Sequence, residues 1–149
     1  MMEIQPDFRD LLELFNAHKV SYIIVGGYAL AYHGAPRYTG DIDIFVKSEK
    51  NNAQKIMKAL DEFGFGDVGL STSDFEKSDQ VIQLGIAPVR IDIITSISGV
   101  DWEEAQRGCV KGKYGDTLVN YLGKVEFIKN KRSVGRKKDL ADLEALGEE

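Results

Sequence analysis

GGYALAYHGAPRYTGDIDIFV, Gly26 to Val46, decides how the rest of the chain is read. It opens on a glycine pair that follows the short β-branched run VSYIIV, passes a loop marked by Gly34, Pro36 and Gly40, and closes on two acids set among isoleucines. In a strand successive side chains point to opposite faces, so Asp41, Asp43 and Phe45 share one face while Ile42, Ile44 and Val46 share the other. The isoleucine face can pack as core; the aspartate face cannot. Carboxylates at i and i+2 have Cα atoms roughly 6.5 to 7 Å apart, close enough to repel when both are ionised and partly desolvated. A bound cation removes that repulsion.

The later stretch VRIDII repeats the alternation, with Arg90 and Asp92 on one face and Ile91 and Ile93 on the other. Laid beside the first strand, it brings three carboxylates and an arginine to one face of a sheet. Oxygen-only donors of this kind suit Mg²⁺, which takes one or two carboxylates plus water and substrate phosphate. Two such ions about 3.5 to 4 Å apart would hold the attacking and leaving oxygens of an in-line phosphoryl displacement. Taken alone, a D-x-D strand is equally the solvated face of an antiparallel sheet. The complete apolar face on both strands, the second acid strand and the glycine turn together favour a site. An EF-hand is excluded, because Val46 and Asn52 stand where its glycine and glutamate belong.

Outward from this centre the order of elements is mixed. Phe8, Leu11, Leu12 and Phe15 follow the spacing of one helical face, which predicts a helix over residues 7–18 opened by Pro6 and Asp7. Residues 20–25 read as a buried strand stopped by the glycines, and 28–33 as a short helix. Residues 41–47 form the acid strand; Ala53, Ile56, Met57, Leu60 and Phe63 form the next helical stripe, with Ser48 as its N-cap. Residues 64–78 read as a connection with one helical turn. Residues 81–86 and 89–97 make two strands joined at Ala87-Pro88 as a hairpin. A helical turn is expected at 101–107, weak strand character over 110–119 around Gly112 and Gly115, and two tail helices at 123–133 and 136–147 divided at Gly135. This pattern predicts an α+β fold: a mixed central β-sheet flanked by helices, with helices at the C-terminus.

The 149 residues, 43% of them hydrophobic, match one domain with one core and no internal repeat. MMEIQPDFRD lacks a basic segment leading into an apolar run, and nothing approaches the roughly 18 apolar residues of a membrane span, so a cytoplasmic protein is expected. Cys109 is the only cysteine, which excludes an intrachain disulfide and a CxxC pair and leaves a small half-buried thiol. The net charge of −5 argues against coating nucleic acid by bulk electrostatics. Between Lys124 and Lys138, however, seven basic residues face one acid, a net of +6 that leaves −11 for the remainder.

Gly26-Gly27, a thirteen-residue spacer, Asp41-Ile42-Asp43-Ile44 and the later Ile91-Asp92-Ile93 resemble the pattern of the nucleotidyltransferase superfamily related to DNA polymerase beta. The tail NKRSVGRKKDLADLEAL is similar to the C-terminal helices of small, stand-alone bacterial members. The resemblance implies two Mg²⁺ ions, with Mn²⁺ as a substitute. It also implies transfer of a nucleoside monophosphate from a nucleoside triphosphate such as ATP to an acceptor hydroxyl, with release of pyrophosphate. By motif position, Asp41 and Asp43 would be metal ligands, and Asp92 would hold a metal and help deprotonate the acceptor. Gly26 and Gly27 would cradle the β- and γ-phosphates; many members carry serine where Gly27 stands, so here backbone and basic residues must supply the grip. Lys131, Arg132 and Arg136 in the tail and Thr39 before the acids are candidates for it, with Arg37 in the loop before the acids and Arg90 better placed. Each tail residue is equally well a solvated basic face. Asp139 and Asp142 read as acids complementing the dipole of the last helix.

Other features read as structural. GFGDVG, Gly64 to Gly69, is a literal G-x-G-x-x-G that follows a helix rather than a strand, so it reads as a helix stop and loop. His18 and His33 are isolated, and Trp102, Tyr28 and Tyr32 read as packing residues, with Tyr38 better placed to meet a base. A second reading is a non-catalytic nucleotide-binding partner module, the antitoxin-like half of a two-protein system; a third is a plain acidic scaffold. The acceptor stays open among small antibiotics, protein hydroxyls and RNA ends, and the partner is a second copy of the chain or another protein.

Overall fold

The stretches richest in β-branched residues assemble into one sheet. In the computed structural model, which describes residues 4–35, 40–66, 69–86 and 89–148, six strands form: β1 (Tyr22–Val25), β2 (Asp41–Val46), β3 (Val81–Ile86), β4 (Val89–Ile94), β5 (Val110–Tyr114) and β6 (Thr117–Tyr121). Their spatial order is β3-β4-β2-β1-β6-β5. β2 pairs antiparallel with β1 and parallel with β4, β1 runs parallel to β6, and the outer pairs β3/β4 and β5/β6 are antiparallel. The sheet is therefore mixed, and the helices make the fold α+β as expected. Its register sets Asp41 opposite Arg90 and Asp43 opposite both Asp92 and Val25. The two acid strands are thus direct neighbours at the middle of the sheet.

Alternation sorts the strand residues as predicted. Ile42, Ile44, Ile24 and Ile93 are at most 1% exposed and join one core with Phe8, Leu11, Leu12 and Phe15 of α1 (Pro6–Ala17). Ala53, Ile56, Ala59 and Leu60 of α3 (Lys50–Leu60), a helix in contact with α1, complete it. Asn52 is buried but satisfied: its side chain accepts from Ser21 N at 2.7 Å and donates to Ser21 O at 3.0 Å and Lys47 O at 2.9 Å. These bonds dock α3 across the start of β1 and the end of β2, so the polar group costs little and fixes position.

Several boundaries differ from the sequence expectation. The helix after β1, α2 (Gly26–Tyr32), begins at the glycines themselves rather than at Tyr28. Ser48 is not the N-cap of α3; Glu49 holds that position in an extended conformation without a side-chain cap bond, since the helix starts later. Residues 64–78, in contrast, contain the single helical turn expected of them, α4 (Thr72–Glu76), opened by a capping box between Ser71 and Asp74. Before it, α3 runs into a π-type segment, Asp61–Phe65, that Gly64 ends with φ 105°. β4 stops at Ile94, three residues short of the expected 97. Residues 110–119 form two strands rather than one, because Gly115 at φ 63° reverses the chain between them. The Ala87-Pro88 turn lies outside the described residues, while the strands beside it pair as a hairpin. α5 (Trp102–Gly108), capped by Asp101, and the tail helices α6 (Lys124–Val134) and α7 (Lys137–Ala145) lie close to the predicted positions. Among the described residues no helix is long and apolar enough to cross a membrane.

Candidate nucleotide site

Asp41, Asp43, Arg90 and Asp92 share one sheet face because β2 and β4 run parallel in the register given above. The same face is closed further along the strands, where Phe45 meets the Trp102 ring of α5 edge-on at 5.1 Å. At the other end the three acids and Arg90 form two pairs. Asp41 accepts two bonds from the Arg90 guanidinium, Nη2 to Oδ2 at 2.8 Å and Nε to Oδ1 at 3.3 Å. Asp43 and Asp92 instead face each other.

The second pair carries the strain of burying like charges. Burial, then the neighbouring Asp92 and Asp41, push the Asp43 carboxyl up to about 6, although Lys131 pulls in the other direction. Protonated Asp43 donates to Asp92. Burial and the charge of Asp41 also raise Asp92, partly offset by Arg90 and by the bond from Asp43. Oδ1 of Asp92 is buried without a hydrogen-bond partner. A buried acceptor left open is costly, and open acceptors of this kind are found where a ligand completes them.

The glycine turn is built around Asp43. Gly26 has φ +67°, which few side chains adopt, and a Cβ there would run into the Asp43 carboxylate. The backbone of α2 can start beside that acid only because Gly26 has no side chain. Gly27 is buried in the same first turn, and Val25, the N-cap, supplies no side-chain bond to the first N–H groups of α2.

The tail residues are arranged differently from one another. Lys131 is 6% exposed; its Nζ lies 3.2 Å from Asp139 Oδ1, 3.5 Å from Asp142 Oδ2 and 5.3 Å from the centre of the Phe127 ring. It is thus a buried, paired lysine whose charge reaches Asp43, not a solvated member of a basic face. Arg136 caps α7 and grips Asp139 through Nε at 2.7 Å, with its guanidinium largely exposed. Arg132 is exposed and lies 3.9 Å from Glu148. Asp139 stands in the first turn of α7 as expected, where its Oδ2 accepts from Arg136 N at 3.2 Å, whereas Asp142 lies beyond that turn; both are also buried as the counter-ions of Lys131. Although burial opposes it, the bonds from Arg136 and Lys131 hold Asp139 down to about 2. The signal for this cluster was present as two acids three residues apart on one helix face. Arg37 and Thr39, like Tyr38, lie outside the described residues.

The features read as structural behave so. His33 Nε2 bonds Leu122 O at 2.7 Å, His18 pairs with Glu62, and Tyr28 packs edge-on against Phe8 and Tyr114. Tyr32 stacks on Tyr121, and Cys109 is half-buried.

Among the described residues no three His, Cys, Asp or Glu side chains converge as a metal cage, because Asp41 is turned to Arg90 while Asp43 and Asp92 face each other. The donors nevertheless fit a hard divalent cation: all are carboxylate oxygens, one is an orphaned acceptor, and the Asp43–Asp92 repulsion is of the kind a cation relieves.

The family model described as "Nucleotidyl transferase AbiEii toxin, Type IV TA system" matches residues 9–107, a span that holds Gly26, the three acids and Arg90. No curated protein matches the chain. Among solved structures the fold is similar to that of TM1012 from Thermotoga maritima, assigned as a nucleotidyltransferase, at TM-score 0.64 and 17% identity over 95% of this chain and 93% of that one. It is similar as well to the lincosamide antibiotic adenylyltransferase LnuA in its lincomycin-bound form, at TM-score 0.57 and 15% identity over 98% of each chain. An antigenic nucleotidyltransferase-like protein from Paracoccidioides brasiliensis matches at TM-score 0.56 and 16% identity, over 96% of this chain and 75% of its own. At these identities the likeness is one of fold.

Proposed function

The chain belongs to the nucleotidyl transferase AbiEii toxin family of type IV toxin–antitoxin systems, and from that membership we propose that it moves a nucleoside monophosphate from a nucleoside triphosphate to an acceptor hydroxyl. The observation that carries the reading to particular atoms is the Asp43–Asp92 pair beneath Gly26, with its orphaned Asp92 oxygen. Asp41, Asp43 and Asp92 are the proposed holders of one or two Mg²⁺ ions, with Mn²⁺ as substitute. When bound, such ions would neutralise charge gathering on the phosphates.

The chain's own residues do the rest. The N–H groups of Gly26 and Gly27 and the guanidinium of Arg90 hold the triphosphate so that its α-phosphorus faces the acceptor. The acceptor hydroxyl gives its proton to a carboxylate, for which the open Oδ1 of Asp92 is the proposed atom. The acceptor oxygen bonds to the α-phosphorus, the bond to the bridging oxygen breaks, and pyrophosphate leaves. Lys131, held by Asp139 and Asp142, places a fixed positive charge toward Asp43 and keeps that acid more ionised than burial alone allows.

Support for a partner comes from the family's toxin–antitoxin character, and an antitoxin protein is the proposed partner; the chain takes the toxin's place in such a pair. The acceptor is one that such a toxin modifies, and ATP is the first donor to test because LnuA is an adenylyltransferase. Parallel reactions with α-labelled and γ-labelled triphosphates, Mg²⁺ and candidate acceptors test the proposal. Label passes to the acceptor from the α-position alone. Transfer from the γ-position would make the protein a kinase and overturn it.

A further inference from the structure

Asp41 and Arg90 are more than a surface ion pair, because of where they stand. The register places them directly opposite each other on β2 and β4, one step from the Asp43–Asp92 pair. Arg90 takes both oxygens of Asp41, while its positive charge also reaches Asp92 and Asp43. β2 and β4 are already joined by a continuous backbone ladder from Asp41 to Phe45, so the sheet does not need this pair to form. Both side chains are about a third exposed, 35% and 32%, so the bond is screened and cheap to break. A carboxylate held in a guanidinium fork cannot offer the same lone pairs to a cation, and a nearby guanidinium repels that cation.

We infer that Arg90 is the resident counter-ion of Asp41 in the metal-free protein, holding the place of a divalent cation, and that it leaves Asp41 when cation and triphosphate enter together. The inference rests on the metal-assisted reading above and adds an order to it. Without a triphosphate, Arg90 stays on Asp41, so the cation competes with it for that carboxylate. With a triphosphate present, the phosphates accept Arg90 and Asp41 is released to the cation. Cation and nucleotide binding are then positively coupled through one side chain.

Mn²⁺ alone provides the test, measured by electron paramagnetic resonance of the free ion at neutral pH without nucleotide. Arg90→Gln is expected to bind Mn²⁺ roughly 3- to 10-fold more tightly than the wild type. Arg90→Lys, which keeps the charge and loses the fork, is expected in between and guards against a folding defect in the first variant. In the Asp41→Asn background the gain from Arg90→Gln should vanish. Equal or weaker Mn²⁺ binding by Arg90→Gln overturns the counter-ion role while leaving the metal site standing. If wild type, Arg90→Gln and Asp43→Asn are all indistinguishable in lacking Mn²⁺ binding, the metal-assisted reading fails, and this inference with it.

Discussion

Gly26 and Asp43 constrain each other at the level of single atoms. The glycine needs its positive φ to turn β1 into α2, and the space where its Cβ would lie is taken by the Asp43 carboxylate. Gly26→Ala therefore adds backbone strain to a direct collision, at a cost of about 1–3 kcal/mol that urea denaturation would register. Asp43 itself gives a pH signature. Its carboxyl sits at about 6 in the folded chain against the ordinary 3.8, so the folded state binds the proton more tightly between those values. Ionisation consequently destabilises the fold above pH 6, and this destabilisation is withdrawn as pH falls through 6 toward 4. For the metal-free protein the stability difference between Asp43→Asn and wild type should favour the variant at pH 7 by up to about 3 kcal/mol. It should shrink toward zero by pH 4. Thermal melts of both proteins across pH 4–8 measure it. Alternation alone made Asp43 legible in the sequence. The bond between Asp41 and Arg90 was not, since it depends on β2 and β4 being parallel neighbours in one particular register.

The tail helices show the same limit at the level of elements. A run of seven basic residues reads as a solvated arm, yet Lys131 is buried because α7 folds back along α6 and carries Asp139 and Asp142 to it. Gly135, at φ 70°, ends α6 and permits that reversal. The sequence supplied both helices and the glycine between them, but no local pattern states which face of one meets the other. Asp139→Asn leaves a buried lysine with one acid fewer and is expected to cost about 3 kcal/mol or more, read from denaturant unfolding at pH 7. Because Asp139 is held down to about 2, its stabilising share is present above about pH 4 and is lost only as pH falls through 2. The β5/β6 hairpin was missed for a related reason. Its strands are five residues each, β5 is interrupted by Gly112, and the pairing of β6 with β1 on one side and β5 on the other gives them a definition that such short segments lack alone.

Across the whole molecule, one sheet separates two tasks. One face buries isoleucines against α1 and α3; the other holds the acids at one end and the Phe45–Trp102 contact further along. Fold class was legible because both faces are written into the strands, whereas strand order depends on long-range pairing that no stretch of sequence contains. The match to a nucleotidyltransferase family spans both acid strands, and the fold as a whole is similar to that of TM1012. On the proposed mechanism Asp43 and Asp92 form the reacting end of that face. This assignment is tested most directly by pyrophosphate release under single-turnover conditions, with triphosphate, Mg²⁺ and an accepted acceptor, in wild type, Asp43→Asn and Asp92→Asn at equal folded concentration. Each variant is expected to lose about 100-fold or more while still unfolding in a single cooperative thermal transition. Release at the wild-type rate by either folded variant would contradict it.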